Sequence, residues 1–326
     1  MRALVTGCAG FVGSQLTDSL LADGHEVLGV DMLLDNYSSG IKLENLAGAR
    51  EFDAFAFLPL DVSKAELEPL VEDCDVVFHL AAEPGVRSSW GTRFASYERN
   101  NVLATQRLLE AVKPWPEKRV VYASSSSVYG DAERLPTGED TRPQPFSPYG
   151  VTKLAAEHLC SLYHGNFGLA TVSLRYFSVY GPRQRPDMAF NRFCRAALAG
   201  EPLTVFGDGE QTRDFTFVGD VVAATRAAAV SPSAPGRVYN VGGGSRVSVN
   251  DALELIASFT GRPLDVRYVD TERGDVRDTG AETARARRDL GFDPATPVVE
   301  GLAAEFEWMR EREGRPLRAS GRVAAG

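Results

Sequence analysis

Through the first 180 residues, short apolar runs alternate with helical patterns, and no other feature of the chain narrows its fold as far. RALVT precedes a helical pattern over 12–23, then comes EVLGVD, then AFLPLD with a helix from 63. DVVFHLAA is followed by a helix over 100–113, RVVYAS by a helix over 148–165, and ATVSLRYF closes the series. Strands and helices at this spacing predict βαβ units and an α/β, doubly wound parallel sheet with helices on both faces.

Beyond about 180 the pattern loosens into connections rich in Pro, Gly and Arg. It predicts a helix over 189–199, a strand near 203–206, a strand at VYNVG (238–242) and a helix over 249–260. The expected organisation is a first domain over 1–180 and a smaller mixed α/β lobe over 181–312. Residues of about 214–242 are expected to return to the first domain, and 313–326 to fray as a tail. The 326 residues are 44% hydrophobic, enough for one large core or two interleaved ones.

A net charge of -9 argues against a nucleic-acid partner, which needs a surplus of Lys and Arg on some face. Cys8, Cys74, Cys160 and Cys194 lie far apart, with no ligand spacing to the four histidines, so reduced thiols and no metal are expected. Strand-like sequence from position 2 and the lack of a long apolar stretch predict no membrane association and a cytoplasmic location.

The first chemical signal is LVTGCAGFVG, with Gly7, Gly10 and Gly13 between the first strand and the first helix. Glycines there permit a tight turn and close approach of backbone to a pyrophosphate, which the helix N-terminus favours. The spacing is one residue longer between the first two glycines than the usual Rossmann fingerprint. Asp31 ends the second strand, where a carboxylate accepts bonds from ribose hydroxyls, and no Arg or Lys follows it directly. NAD is therefore expected rather than NADP.

The second signal is SPYGVTK, which puts Tyr149 and Lys153 four residues apart on one helix face. Bringing a phenol from about 10 to about 7 needs roughly 4 kcal/mol of preference for the phenolate. An ammonium about 5 Å away supplies around 3 kcal/mol at an effective dielectric of 20, and the positive ring of NAD is expected to add the rest. Tyr149 is thus the expected base, Lys153 its tuning group, and a serine from SSSS (124–127) the group that orients the alcohol.

TGCAGFVG, FHLAAEPGVRSS, YERNNVLATQRLLEA, SSSSVYGD, SPYGVTKLAAE, LRYFSVYGPRQRPDM, GDGEQTRDFTFVGDV and GDVRDT together resemble the extended short-chain dehydrogenases/reductases. The likeness, to the members acting on nucleotide sugars, runs in order from about 2 to 310 and is strongest to the UDP-glucuronate 4-epimerases. It implies Ser125, Tyr149 and Lys153 as catalytic groups and NAD as cofactor, held also by Phe11, Val12, Asp61, Val62, Leu80, Ala81, Ala82, Asn101 and Tyr176, with Phe177 beside the nicotinamide. It also implies a UDP-sugar along Thr204, Val205 and Phe206, with Arg213 at the diphosphate and Asp275 near the ribose. A homodimer through the helices near 100–113 and 148–165 is implied as well. Met32 and Ala104 depart from the common Asn and Gly of the family, and neither removes a catalytic group.

In the related 4,6-dehydratases the stretch before VYG carries an Asp and a Glu, and UDP-xylose-forming decarboxylases carry a Glu; here those positions are Ser126 and Ser127. A serine is far too weak an acid or base to replace them. With Ser178, these two are expected to donate to a carboxylate on the sugar, and Arg185 and Arg192 to lie near phosphate or carboxylate. The expected activity is C4 epimerisation through a 4-keto sugar, most simply of UDP-glucuronate to UDP-galacturonate. The alternatives are UDP-glucose 4-epimerisation and a non-catalytic NAD-binding regulator.

Overall fold

The computed structural model describes residues 1–132, 134–272 and 274–313, so the expected tail over 313–326 lies outside the described residues except for Glu313, which ends the helix Val298–Glu313. Among the described residues twelve strands follow in chain order: β1 (Arg2–Thr6), β2 (Glu26–Val30), β3 (Phe55–Leu58), β4 (Val76–His79), β5 (Arg119–Ser125), β6 (Ala170–Tyr176), β7 (Val179–Tyr180), β8 (Leu203–Phe206), β9 (Thr212–Phe217), β10 (Val238–Val241), β11 (Ser245–Ser248) and β12 (Val266–Val269). Seven make one parallel sheet in the order β10-β6-β5-β4-β1-β2-β3.

Alternate residues of one strand serve opposite faces of that sheet. Ala3 and Val5 pack with Phe78, Val121 and the helices Phe11–Ala22 and Val218–Val230, whereas Leu4 packs with Val77, Val120 and the helices Ala104–Val112 and Pro148–Phe167. Burial on both sides is why these strands read as unbroken apolar runs. The strand order reverses between β1 and β4, and open sheets of this kind hold ligands at that crevice, beyond the strands' carboxyl ends.

The remaining strands form two small sheets, β11-β9-β7 and β12-β8. Tyr180, Phe190, Phe193, Phe215, Ile256 and Phe306 fill a separate core beneath them. The helix Val218–Val230 and β10 return to the large sheet, β10 pairing with β6 through Val238↔Ser173 to Val241↔Tyr176. The predicted helix over 100–113 begins as a wider π-type turn over Glu98–Leu103 before Ala104–Val112. Helix Val218–Val230 was not legible, because its valine- and alanine-rich sequence, broken only by Asp220, Thr225 and Arg226, has little contrast between faces. No described helix is long and apolar enough to cross a membrane.

Candidate active site

Two local signals fix the helix that carries Tyr149 and Lys153. The Ser147 hydroxyl accepts from the Gly150 amide at 3.1 Å, and Pro148 fills the first turn, where no amide donor is needed. Tyr149 is thereby set at the mouth of the crevice and Lys153 one turn deeper. Tyr149 is half-buried and Lys153 is buried. Tyr97 stands edge-on to Tyr149 with ring centroids 6.3 Å apart, and its hydroxyl donates toward the Pro84 and Gly85 carbonyls at 2.9 Å.

The glycine turn lines a cavity with Phe11, Val12, Asp31, Asp61, Val62, Leu80, Ala81, Ala82, Tyr149, Lys153 and Tyr176. Gly7 has φ +75°, and a Cβ there would lie 2.7 Å from the Ala81 amide nitrogen; a Cβ on Gly13 would lie 2.1 Å from the Gly7 carbonyl oxygen. The cradle therefore exists only with glycine, and its shape fits a dinucleotide pyrophosphate over a helix N-terminus. Asp31 accepts from Leu33 N at 2.8 Å and Ala9 N at 3.2 Å; burial holds its pKa above the ordinary value, against the pull of those bonds. Asp61 is partly desolvated, yet bonds from the Ser63 hydroxyl (2.6 Å) and amide (2.9 Å) hold its pKa below the usual range.

Two expected cofactor contacts lie elsewhere. Asn101 is turned inward, donating to the Glu83 carbonyl at 3.1 Å and the Thr152 hydroxyl at 3.0 Å, and Asn100 lines the cavity instead. The π-type turn shifts the register of this helix, which an α-helical reading of YERNN does not anticipate. Phe177 is buried against Val128 and Tyr129 rather than facing the cofactor. Lys42, unforeseen in the sequence, enters the cavity from the helix Ser39–Asn45, donating to the Leu34 carbonyl and to Asn36 Oδ1 (2.9 Å).

Burial dominates the charge balance of the Tyr149 and Lys153 pair. Burial raises the Tyr149 pKa above the ordinary value; a hydrogen bond with Ser125 and the charge of Arg185 oppose it. Burial lowers Lys153 to about 7, opposed by Cys160 and Glu157. The Lys153 ammonium lies over the Tyr122 ring, 4.4 Å from its centroid. In the chain without bound NAD the charged form of each group is thus disfavoured. The reason is shared desolvation, which penalises the charged form of each group.

The serine run divides its tasks. Ser124 ends the buried part of β5 and donates to Glu157 Oε2 at 2.7 Å. Ser125 accepts from the Ser127 amide at 3.1 Å, starting a single turn over Ser126–Val128. Ser126, Ser127 and Ser178 then line one cavity with Arg213, Asp275, Ser147 and Thr279. Arg213 is aimed by the Val276 carbonyl (2.6 Å) and the Arg277 carbonyl (2.7 Å), and its pKa is lowered by burial, which Asp275 partly offsets. Asp275 pairs with Arg87 at 2.6 Å.

Arg213 and Asp275 also line an adjoining cavity of about 920 Å³ with Trp90, Phe94, Phe206 and Gln211. Of the Thr204–Phe206 segment only Phe206 lines it, since Val205 is buried in the core of the small lobe. Thr204 shares the Phe206 face of β8, opposite the buried Leu203 and Val205, but lines neither cavity. Arg87, also unforeseen, stacks on Phe206 with its guanidinium 4.0 Å from the ring centroid. Arg185 reaches the dinucleotide cavity and pairs with Asp187 at 2.9 Å, whereas Arg192 lines none of these cavities and stands 5.8 Å from the Phe206 centroid.

A dinucleotide cradle lined by a half-buried tyrosine and a buried lysine, with a second cavity of serine hydroxyls and an arginine, defines a redox-assisted enzyme of the α/β doubly wound class. The profile of the NAD dependent epimerase/dehydratase family matches residues 3–242, and the chain belongs to that family; the dinucleotide is NAD. It is 44% identical over 310 residues to the Bacillus subtilis (strain 168) protein described as an uncharacterized UDP-glucose epimerase, YtcB, covering 95% of this chain and 98% of that one. Among solved structures, the UDP-glucuronic acid 4-epimerase from Bacillus cereus, in complex with UDP-glucuronic acid and NAD, is 41% identical with a TM-score of 0.93, covering 96% and 100%. MoeE5, solved with NAD and either UDP-glucuronic acid or UDP-glucose, is 44% identical with a TM-score of 0.86, again covering 96% and 100%.

Proposed function

We propose that the chain is an NAD-dependent UDP-sugar 4-epimerase whose principal reaction interconverts UDP-glucuronate and UDP-galacturonate. The observation that carries this reading is the cavity in which Ser126, Ser127 and Ser178 meet Arg213. Among its described lining residues the one carboxylate, Asp275, is engaged by Arg87. Such a cavity welcomes a carboxylate on the sugar and offers no free acid or base beside it.

Tyr149 takes the proton of the sugar 4-hydroxyl, and the Ser125 hydroxyl orients that alcohol. NAD, when bound, accepts the C4 hydride and returns it, and its positive ring favours the phenolate. Lys153, as an ammonium on the same helix face, is assigned to the activation of the Tyr149 phenol, and with the charge of a bound cofactor it would offset burial. Arg213 and Arg87 are assigned to the diphosphate and uridine end, with Phe206 as the apolar shelf. The 4-keto uronic acid is a β-keto acid, which loses carbon dioxide when its carboxylate bond stands perpendicular to the carbonyl plane. Hydrogen bonds from Ser126, Ser127 and Ser178 hold the carboxylate away from that orientation, and the sugar then presents its other face.

Incubation with UDP-glucuronate and, separately, UDP-glucose, with products resolved by NMR, tests the assignment. Epimerised uronate without net NADH is expected. Replacing Ser126 and Ser127 together with Ala should lower kcat/KM for the uronate by at least about tenfold, because hydrogen bonds to a charged group contribute about 1.5–3 kcal/mol each. The UDP-pentose share should rise while turnover of UDP-glucose stays within about twofold by the same reasoning. An unchanged ratio between the two substrates would rule out the serine assignment. UDP-glucose 4-epimerisation is the second reading, favoured by the description of the Bacillus subtilis relative and by the UDP-glucose complex of MoeE5; it predicts turnover of the neutral sugar alone.

The same reading includes a homodimer. Leu103, Val151, Leu162 and Phe167 are exposed apolar side chains on the segment 98–112 and the helix Pro148–Phe167. Sedimentation equilibrium should give twice the chain mass, and Leu162→Glu with Phe167→Glu should give one.

A further inference from the structure

Behind Lys153 lies a buried ion pair that no step above uses. Glu157 is one helical turn beyond Lys153 and 2% exposed, and Arg175 of β6 is 4% exposed. Arg175 donates to both carboxylate oxygens, through Nη2 at 2.6 Å and Nε at 3.0 Å, and the Ser124 hydroxyl of β5 donates at 2.7 Å. Arg175 is held in turn by the Glu139 carbonyl (3.1 Å) and the Tyr129 hydroxyl (2.6 Å). Each of the three segments so joined carries a site residue next to or one turn from the joint. Ser124 adjoins Ser125, Arg175 adjoins Tyr176, and Glu157 follows Lys153. A fork-to-fork pair in low dielectric is directional as well as strong.

The groups facing Lys153 are Tyr149, Glu157 and Cys160 from its own helix, Tyr122 from β5 and His79 from β4. His79 bonds to the hydroxyls of Thr6 (2.8 Å) and Thr105 (3.0 Å) and is neutral, its pKa pushed down to about 3 by burial and, less, by Lys153. Glu157 is thus the one carboxylate among them.

We propose that Glu157 is a positioning residue for this reaction: clamped by Arg175 and Ser124, it locks β5, β6 and the catalytic helix together and supplies the countercharge that keeps Lys153 an ammonium. This rests on the assignment of Lys153 to the activation of Tyr149. The sign follows from the setting. Burial already lowers Lys153 to about 7, and Glu157 opposes that shift. Without the carboxylate the ammonium is lost at still lower pH, so the alkaline limb of activity must move toward acid.

Glu157→Gln preserves shape and removes the charge. Its kcat-pH profile for the UDP-sugar turned over by the wild type should have an alkaline limb about one pH unit lower, an energy of about 1.4 kcal/mol, with KM within about twofold. This variant leaves Arg175 buried and unpaired, which alone lowers stability. The double variant Glu157→Gln with Arg175→Met removes both charges; it should recover the melting temperature while keeping the displaced limb. A limb that stays at the wild-type pH in either variant, or that returns with stability in the double variant, overturns the proposal. Absence of any UDP-sugar epimerisation by the wild type would instead overturn the function on which it rests.

Discussion

Replacing Tyr149 with Phe removes epimerisation while leaving NAD and UDP-sugar binding in place. The loss expected is about a thousandfold or more in kcat, within the upper part of the range for a general acid-base group and with no other titratable hydroxyl in the same position. KM should change little, because the phenol oxygen is needed for proton transfer more than for uniform binding. The ring packs edge-on against Tyr97, so the Phe variant keeps its packing. Calorimetric titration with the UDP-sugar and an NMR turnover assay separate the two effects. Turnover within about tenfold of the wild type would place the base elsewhere.

Gly13→Ala should release the cofactor altogether. The added methyl would sit 2.1 Å from the Gly7 carbonyl oxygen, which is backbone and cannot swing aside, so the helix must move off the turn that faces the pyrophosphate. NAD released on denaturing the purified variant should fall to a small fraction of the wild-type amount, and the melting temperature should drop with it, since a ligand that binds only the folded state adds its binding energy to stability. Gly165→Ala is the matched control. It lies inside the helix Pro148–Phe167 with open space around it, and there alanine should stabilise by up to about 1 kcal/mol. If Gly13→Ala retains full NAD, the turn does not do what its shape suggests.

Much of this arrangement was legible in the sequence because local rules and global fold agree there. The period of the strand and helix patterns gave the large sheet, and the punctuation Ser147-Pro148 gave the start of the helix that carries Tyr149. The glycines of the turn and Asp31 announce themselves by type and position. Asn100 against Asn101 was not legible, because the choice depends on a π-type turn that no residue in YERNN demands. Lys42 and Arg87 were missed for another reason: one enters the cavity from a short helix and the other stacks on Phe206 from a single turn, and packing elsewhere sets the path of both segments. The desolvation of Lys153 and Tyr149 was not legible, because spacing reports which groups share a helix face and says nothing of how much water either keeps.

The return of β10 to the edge of the large sheet has a bearing on how such a protein is made and re-engineered. A ribosome that has released only the segment through Tyr176 leaves one border of β6 without its neighbour, and that neighbour arrives some sixty residues later, after the first pieces of the small lobe. The two halves are consequently woven rather than strung. A chimera that trades substrate preference between relatives has to exchange several separate stretches at once, because a single crossover would pair one parent's sheet with the other parent's missing strand.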